Sequence, residues 1–270
     1  MSNQQSFIKY LSIGLFLLVF AYLVICITKM MYQKSFRRYR KRILSSLLLL
    51  ILSVVMIREA FFSAIPVNRD ASFSMSDIPA YTSLPYVEVN HNIPFFTEEE
   101  LKSDEYESYS ELDYLGRCGP AMAMIGIDMM PTEKRGSISM VKPTGWHLAK
   151  YDFIDGKYLY NRCHLIAYEL SGENANVQNL ITGTRYMNVE GMQPFEDKTA
   201  WYILRTGNHV LYRCTPIFEK DNLVVTGVLI EARSIEDGGE GICFNVFCYN
   251  VQPNIKIDYH TGDHQLIMQD

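Results

Sequence analysis

A chain of 270 residues has room for one good-sized globular domain plus accessory segments, and 48% hydrophobic content supplies a core for it. Charge is very unevenly spread: residues 1–62 carry nine Lys/Arg against Glu59 alone, leaving 16 basic and 29 acidic residues in 63–270, a net of −13. That balance excludes a protein held to nucleic acid by general charge, because phosphate binding rests on Lys and Arg. A phosphate-directed function here needs a small basic cleft and a bound divalent cation.

Leu11 to Thr28 is an uncharged run of 18 residues, and Lys29-Met30-Met31-Tyr32 extends it with a snorkelling lysine. That length crosses a hydrocarbon core. A second run, Ile43 to Ile57, continues past Arg58-Glu59 into Ala60-Phe61-Phe62. Between them, Lys34 to Arg42 packs six positive charges into nine residues. A nucleic-acid patch has that composition too, but the positive-inside rule explains it more cheaply, as a cytoplasmic loop joining two spans. A cleavable signal peptide fits less well, since the start lacks a basic n-region and no small-residue cleavage site follows the first run. The expectation is an N-terminal transmembrane helical hairpin over 1–62, with spans at about 11–31 and 43–62 and a cytoplasmic loop at 34–42. The remainder then faces outward from a cell membrane.

Residues 63–110, with Pro66, Pro79, Pro85 and Pro94, read as an acidic linker, loosely ordered except near Tyr86 to Val89 and Ile93 to Phe96. Glu98 to Asp113 holds eight acids against Lys102 alone, a solvated approach segment. From Leu112 the texture is globular, and 111–270 is taken as the catalytic domain. Ala121 to Ile127 suits a strand or a short helix; Lys157 to Tyr160 alternates as a strand. Asn188 to Arg205 has helical spacing and stops at Gly207-Asn208. Strand-like runs follow at Val210 to Cys214, Leu223 to Ala232 and Cys243 to Val251, so the fold class is α+β. Five cysteines in this part cannot all pair, Cys243 and Cys248 point to opposite faces of a strand, and no Cys-x-x-Cys or paired-His spacing suggests zinc. A bridge from Cys214 to one of them stays open.

The chemistry concentrates in Asn161-Arg162-Cys163-His164, with Asn179, Asn188 24 residues beyond the histidine, and Glu196 eight further on. Phosphodiester hydrolysis needs an activated water, neutralisation of charge on the phosphoryl oxygens, and help for the leaving oxygen. A histidine at a strand end can accept the proton at neutral pH. One hard divalent cation, held by an amide oxygen and mostly by water, can do the rest. On a regular helix Glu196 lies roughly 80° round from Asn188, adjacent but not aligned, which suits contact through metal waters.

These residues resemble the DNA/RNA non-specific endonuclease family, in particular the membrane-attached nucleases of bacterial DNA import. The resemblance runs from about Ser110 to Tyr259, most specifically over Leu112 to Arg117, Met130 to Arg135, Pro143 to Trp146 and Asn161 to Glu196. It implies a ββα-metal nuclease-like domain with a flanking antiparallel sheet. It makes His164 the general base, Asn188 the direct ligand of Mg²⁺ (with Mn²⁺ able to substitute), and Glu196 the carboxylate that holds metal waters. Arg162 then faces the phosphate, and Asn179 is grouped with the substrate-binding residues as a shaper of the loop. Arg185, Lys134 and Arg135 are candidate phosphate contacts. DNA, by extension RNA, the lipid bilayer and a DNA-translocation machinery are the implied partners, and products carry 5′-phosphates. Cys163 stands at the family's usual glycine and Asn161 at its usual aspartate. A thiol beside the base would tighten packing or make activity redox-sensitive.

Each residue also has a plainer reading. A lone histidine after a strand is usually structural, and Asn188 alone would be a helix N-cap. His147 and His209 read as structural, and Met187 and Met192 as core. The rival to an enzyme is a catalytically silent membrane receptor or interaction module on the same fold, favoured by the acidity and the altered motif.

Overall fold

The computed structural model describes residues 3–34, 36–61, 73–102, 104 and 106–267, and the chain divides into two compact units, Met1–Ile65 and Pro66–Asp270. The first unit holds helices α1 (Asn3–Gln33) and α2 (Phe36–Phe61), which lie against each other. On α2, Tyr39, Ser46 and Ser53 recur every seven residues and are buried, and Leu23 and Cys26 are buried on α1. Both hydroxyls turn back onto their own helix, Ser46 to Arg42 O and Ser53 to Leu50 O, so small side chains at the contact leave no donor stranded. Most of the leucines face outward, Leu18 and Leu48 among the most exposed. Among the described residues one helix, over Ile13–Gln33, is long and apolar enough to cross a membrane by length and composition. Residues 62–72, which include Phe62 of the second expected span and the start of the expected linker, lie outside the described residues.

The second unit is built on a six-stranded antiparallel sheet. Its strands are β1 (Tyr86–Glu88), β2 (Tyr106–Tyr109), β3 (Ala121–Ile125), β6 (Val210–Ile217), β7 (Gly227–Ser234) and β8 (Cys243–Tyr249), in spatial order β1-β8-β7-β6-β3-β2. The order follows from the composition of the strands. Every residue of β7 is buried, so it takes the interior, while β1 and β2 are short, carry exposed Glu88 and Glu107, and take the edges. The undecided run at Ala121 is a strand, because it pairs on both sides, with β2 and with β6.

Each face of the sheet is covered differently. One face packs on the layer that carries the candidate site, burying Tyr212, Phe244, Val246 and Cys248 with Leu165, Met187 and Ile203. Each large side chain fully buried here stabilises by about 1.5–3 kcal/mol. The other face is covered by residues 73–102, with Phe96 against Met124 and Leu211, and Val89 with Phe73 against Leu229 and Phe247. Much of the expected linker is therefore part of the domain. Its prolines and acids carried the loop signal, but Val89, Phe95 and Phe96 are spaced to cover a sheet. A charged clamp holds them: buried Glu231 accepts from Phe95 N at 2.6 Å and from Arg213 Nε at 2.7 Å, and Arg213 also reaches Glu100 Oε1 at 3.1 Å.

The site layer is an antiparallel pair, β4 (Tyr160–His164) with β5 (Leu180–Thr184), enclosing the short α3 (Tyr168–Ser171) and followed by α4 (Gln193–Thr206). Gly207 ends α4 in the left-handed region (φ 71°), donating its N–H to Ile203 O. Strands β9 (Ile255–Ile257) and β10 (His264–Leu266) make a separate small pair. Fully buried Asn250 ties the site layer to the sheet: its Oδ1 accepts from Thr184 N at 2.8 Å, and its Nδ2 donates to Thr182 O and Val225 O. All six cysteines are free, so no Cys214 bridge forms.

Cys163 and Gly183 form a size-matched pair across β4 and β5. Cys163 points into the core, and a Cβ on Gly183 would run into its Sγ and into Met187 Cε. Gly183→Ala is expected to cost about 1–3 kcal/mol by overpacking, and Cys163→Ala in the same chain should return part of it. Thermal denaturation of the two single variants and the double variant measures the coupling; strictly additive losses would refute the pairing.

Candidate active site

Strand β4 alternates, so Arg162 and His164 share the face turned to a cleft while Cys163 faces the core. The cleft has a volume of about 770 Å³ and is bordered by β4, the start of the α4 helix and the long excursion between β3 and β4. His164 is 7% exposed at its floor. Its Nε2 lies 2.8 Å from the carbonyl of Asn174, and its Nδ1 lies 3.3 Å from Arg135 Nη2. A carbonyl can only accept and a guanidinium can only donate. The ring is therefore the neutral tautomer with the proton on Nε2 and the lone pair of Nδ1 toward Arg135. Burial, reinforced by the Arg135 charge and opposed by the Asn174 carbonyl, brings its pKa down to about 4.

Asn179 sets the turn that follows. It is fully buried, accepts from Leu165 N (3.1 Å) and Ile166 N (2.8 Å) and donates to Ile166 O (2.9 Å). It shapes the loop behind His164 and does not line the cleft, so its grouping with substrate contacts is corrected.

Asn188 and Glu196 both line the cleft. The helix begins before Asn188 and carries a π-helical turn over Met187–Met192, in which Gln193 N–H donates to Asn188 O five residues back. Asn188 is thus interior to the helix and not its N-cap. The wide turn absorbs one residue, so eight positions span what seven would on a regular helix, about 20° short of two full turns. Asn188 and Glu196 come onto one face, closer in angle than regular spacing implies. Among the described residues the Asn188 side chain makes no hydrogen bond, which leaves its amide oxygen for a ligand. Half-buried Glu196 is pushed up to about 8, by burial first and then by Glu169 and Asp197, with Arg135 opposing. Met187 and Met192 are core residues, as their apolar positions indicate.

Three arginines line the cleft, Arg135, Arg162 and Arg185. Arg162 spends donors on the carbonyls of Val141 and Ser139 (2.9 Å for the latter) and stacks 4.0 Å from the centre of the Trp146 ring. It therefore braces the wall of the cleft as well as charging it. Arg185 pairs with Asp155 at 2.8 Å. Lys134 is exposed and does not line the cleft; His147 and His209 lie away from it too, against Thr261 O and Glu236. Burial pushes the Cys163 thiol far above its ordinary range, and it faces the core, away from the cleft. Tight packing is the reading it fits, not redox sensitivity. Sequence reasoning missed the Asn174 carbonyl, which any residue could supply, and Glu169, which reaches the cleft from α3.

The donor set can be tested against a metal. Among the described residues no group of three or more His, Cys, Asp or Glu could hold an ion. The cleft offers instead the Asn188 amide oxygen beside the carboxylates of Glu196 and Glu169, all hard oxygen donors. Few protein ligands of this kind fit a cation that keeps most of its waters.

The same arrangement connects the chain to known proteins. A sequence profile of the DNA/RNA non-specific endonuclease family matches residues 97–236. The crystal structure of NucA from Streptococcus agalactiae with no metal bound is similar at 26% identity and a TM-score of 0.60, covering 71% of this chain and 92% of NucA. The magnesium-bound form of the same nuclease aligns at 27% and 0.59, covering 68% and 90%. Sda1 nuclease with a bound zinc ion aligns at 29% and 0.50, covering 61% and 81%. The matched residues include β4, β5, α4 and every charged residue lining the cleft, and the chain belongs to the DNA/RNA non-specific endonuclease family.

Proposed function

We propose that the chain is a membrane-anchored, outward-facing, Mg²⁺-dependent endonuclease that hydrolyses DNA, and RNA by the same chemistry, without sequence specificity. The observation that carries this reading is the placement of His164, with Nε2 on the Asn174 carbonyl and Nδ1 toward Arg135, in the cleft that Asn188 and Glu196 also line. His164 is the general base: Nδ1 takes a proton from the attacking water while the Asn174 carbonyl keeps the ring in place. Arg135 can pass from Nδ1 to a phosphoryl oxygen as water takes its place on the ring. Arg162 and Arg185 add positive potential beside the phosphate, and Lys134 contacts the backbone further out. Asn188 would hold Mg²⁺ directly and Glu196 through water, with Mn²⁺ able to substitute. Bound there, the cation supplies Lewis-acid stabilisation of the phosphoryl and leaving oxygens. The residues themselves bind, orient and move the proton, and a water attacking in line opposite the 3′-oxygen, which departs and takes up a proton, leaves a 5′-phosphate and a 3′-hydroxyl.

For the anchor, the apolar helix over Ile13–Gln33 and the outward-facing leucines of the first unit support a bilayer-embedded segment. We assign residues 1–62 to a two-span anchor with 34–42 cytoplasmic and 111–270 to the nuclease domain, with 63–110 connecting them and, from residue 73 on, covering one face of the sheet and supplying both edge strands. An outward-facing nuclease of this kind serves competence-linked DNA uptake beside a translocation machinery, or degradation of external DNA.

Three outcomes test this. With the full chain in detergent, plasmid DNA and Mg²⁺, EDTA should abolish cleavage and His164→Ala should lower the rate by about 10²–10⁴-fold; intact plasmid with folded protein under both Mg²⁺ and Mn²⁺ would leave only the silent receptor. The depressed pKa of His164 sets a stability window. Between pH 6.5 and about 4 the unfolded chain takes up a proton that folded His164 refuses. The folded state thus keeps its advantage above pH 6.5 and loses about 3 kcal/mol of it as the pH falls to 4. Urea unfolding at pH 7 and pH 4 should show a smaller acid loss in His164→Gln than in the wild type, and equal losses would contradict the buried neutral ring. Proteinase K added to intact cells should remove the nuclease domain; protection there, with digestion after lysis, would reverse the proposed orientation.

A further inference from the structure

Large apolar side chains leave water where they can, and a cleft wall that keeps several uncovered has something to set against them. One wall of the His164 cleft is of this kind. Leu148 is 74% exposed and Tyr158 is 42% exposed, and both line the cleft next to Trp146. Both rings carry a cation, Arg162 on Trp146 at 4.0 Å and Lys150 on Tyr158, but Tyr158 is the more exposed of the two. Tyr158 faces Lys150 across an isolated antiparallel bridge, and Lys150 Nζ lies 4.7 Å from the Tyr158 ring centre. Arg185 lines the cleft as well. An apolar shelf with cations beside it therefore stands next to the hydrolytic groups.

Neither Leu148 nor Tyr158 has a part in moving the proton or holding a cation. Their chemistry fits the other portion of a nucleotide. In a duplex the base faces are stacked on one another, and a wall of this kind meets only sugar and phosphate. An unpaired nucleotide presents a free π-face, and stacking on an aromatic ring is tolerant of sequence because every base has one. We propose that Tyr158 and Leu148 form a stacking shelf for the unpaired base beside the scissile phosphate. Lys150 and Arg185 serve the flanking phosphates, so that single-stranded nucleic acid is preferred over duplex. This rests on the endonuclease reading of the cleft and names its substrate class.

The test uses the full chain in detergent with Mg²⁺ and three fluorescent substrates: a single strand, the same strand annealed to its complement, and a single strand whose bases are replaced by abasic sites. Wild type should favour the ordinary single strand. Tyr158→Ala should lower kcat/KM on that strand about tenfold, chiefly through KM, with a clearly smaller loss on the duplex and the abasic strand. Tyr158→Phe, which keeps the ring, should retain the preference, and exposed Leu148→Ala should repeat the Tyr158→Ala pattern more weakly. Equal losses on all three substrates, or none on the single strand, would overturn the shelf. Fluorescence anisotropy in EDTA separates this from the parent reading. If the wild type cuts nothing but Tyr158→Ala still weakens single-strand binding, the nuclease reading falls and the shelf stands. If neither cleavage nor binding responds, both fall.

Discussion

A buried amide left half-satisfied costs about 1–3 kcal/mol for each stranded partner, and the domain is organised around one that is fully used. Asn250, just past the end of β8, binds Thr184 and Thr182 of β5 and Val225 just before β7. Thr184 Oγ1 on Val251 O and Tyr186 N on Gln252 Oε1 add to this tie, while the packing between sheet and site layer is non-directional and fixes distance better than register. The three bonds of Asn250 set the register of β5, and β5 sets β4 by pairing His164 with Leu180. Asn179 then fixes the chain just beyond His164. The position of His164 thus descends from two buried asparagines that do not line the cleft.

Acidity and phosphate chemistry are reconciled by separation. The net charge of −13 over 63–270 is a property of the whole surface, whereas the cleft gathers three arginines against Glu169 and Glu196. Charges beyond about 8–10 Å are largely screened at physiological ionic strength, so a phosphate in the cleft answers to those residues and not to the total. The two glutamates also belong to the oxygen-rich donor set, where a cation favours their ionised forms.

Much of this was legible in the sequence, and the failures share a cause. That His164, Asn188 and Glu196 share one cleft could be expected because their residue types and spacing form one chemical set. The strands at Val210 and Cys243 and the helix stop at Gly207 could be found because burial has a period and a left-handed cap has a preferred residue. The near alignment of Asn188 with Glu196 could not, since a π-turn is a property of hydrogen bonding that no residue type announces. The Asn174 carbonyl that fixes the His164 tautomer is backbone and leaves no trace in composition. The run at Tyr86 to Val89 stood out from its surroundings, but the edge strand at Tyr106–Tyr109 was hidden by its acids, since Glu107 belongs to a segment that reads as solvated.

Those same acids bear on how molecules of this protein meet one another. An open sheet ends in two rows of unpaired N–H and C=O groups, a template on which a second copy can add its own strand. Here both rows belong to strands of only three and four residues, each presenting an outward carboxylate, and β2 sits inside the acid-rich run from Glu98 to Asp113. Two copies approaching edge to edge would bring like charges together without a partner. The short length of both borders and their negative charge work against the addition of a second copy's strand.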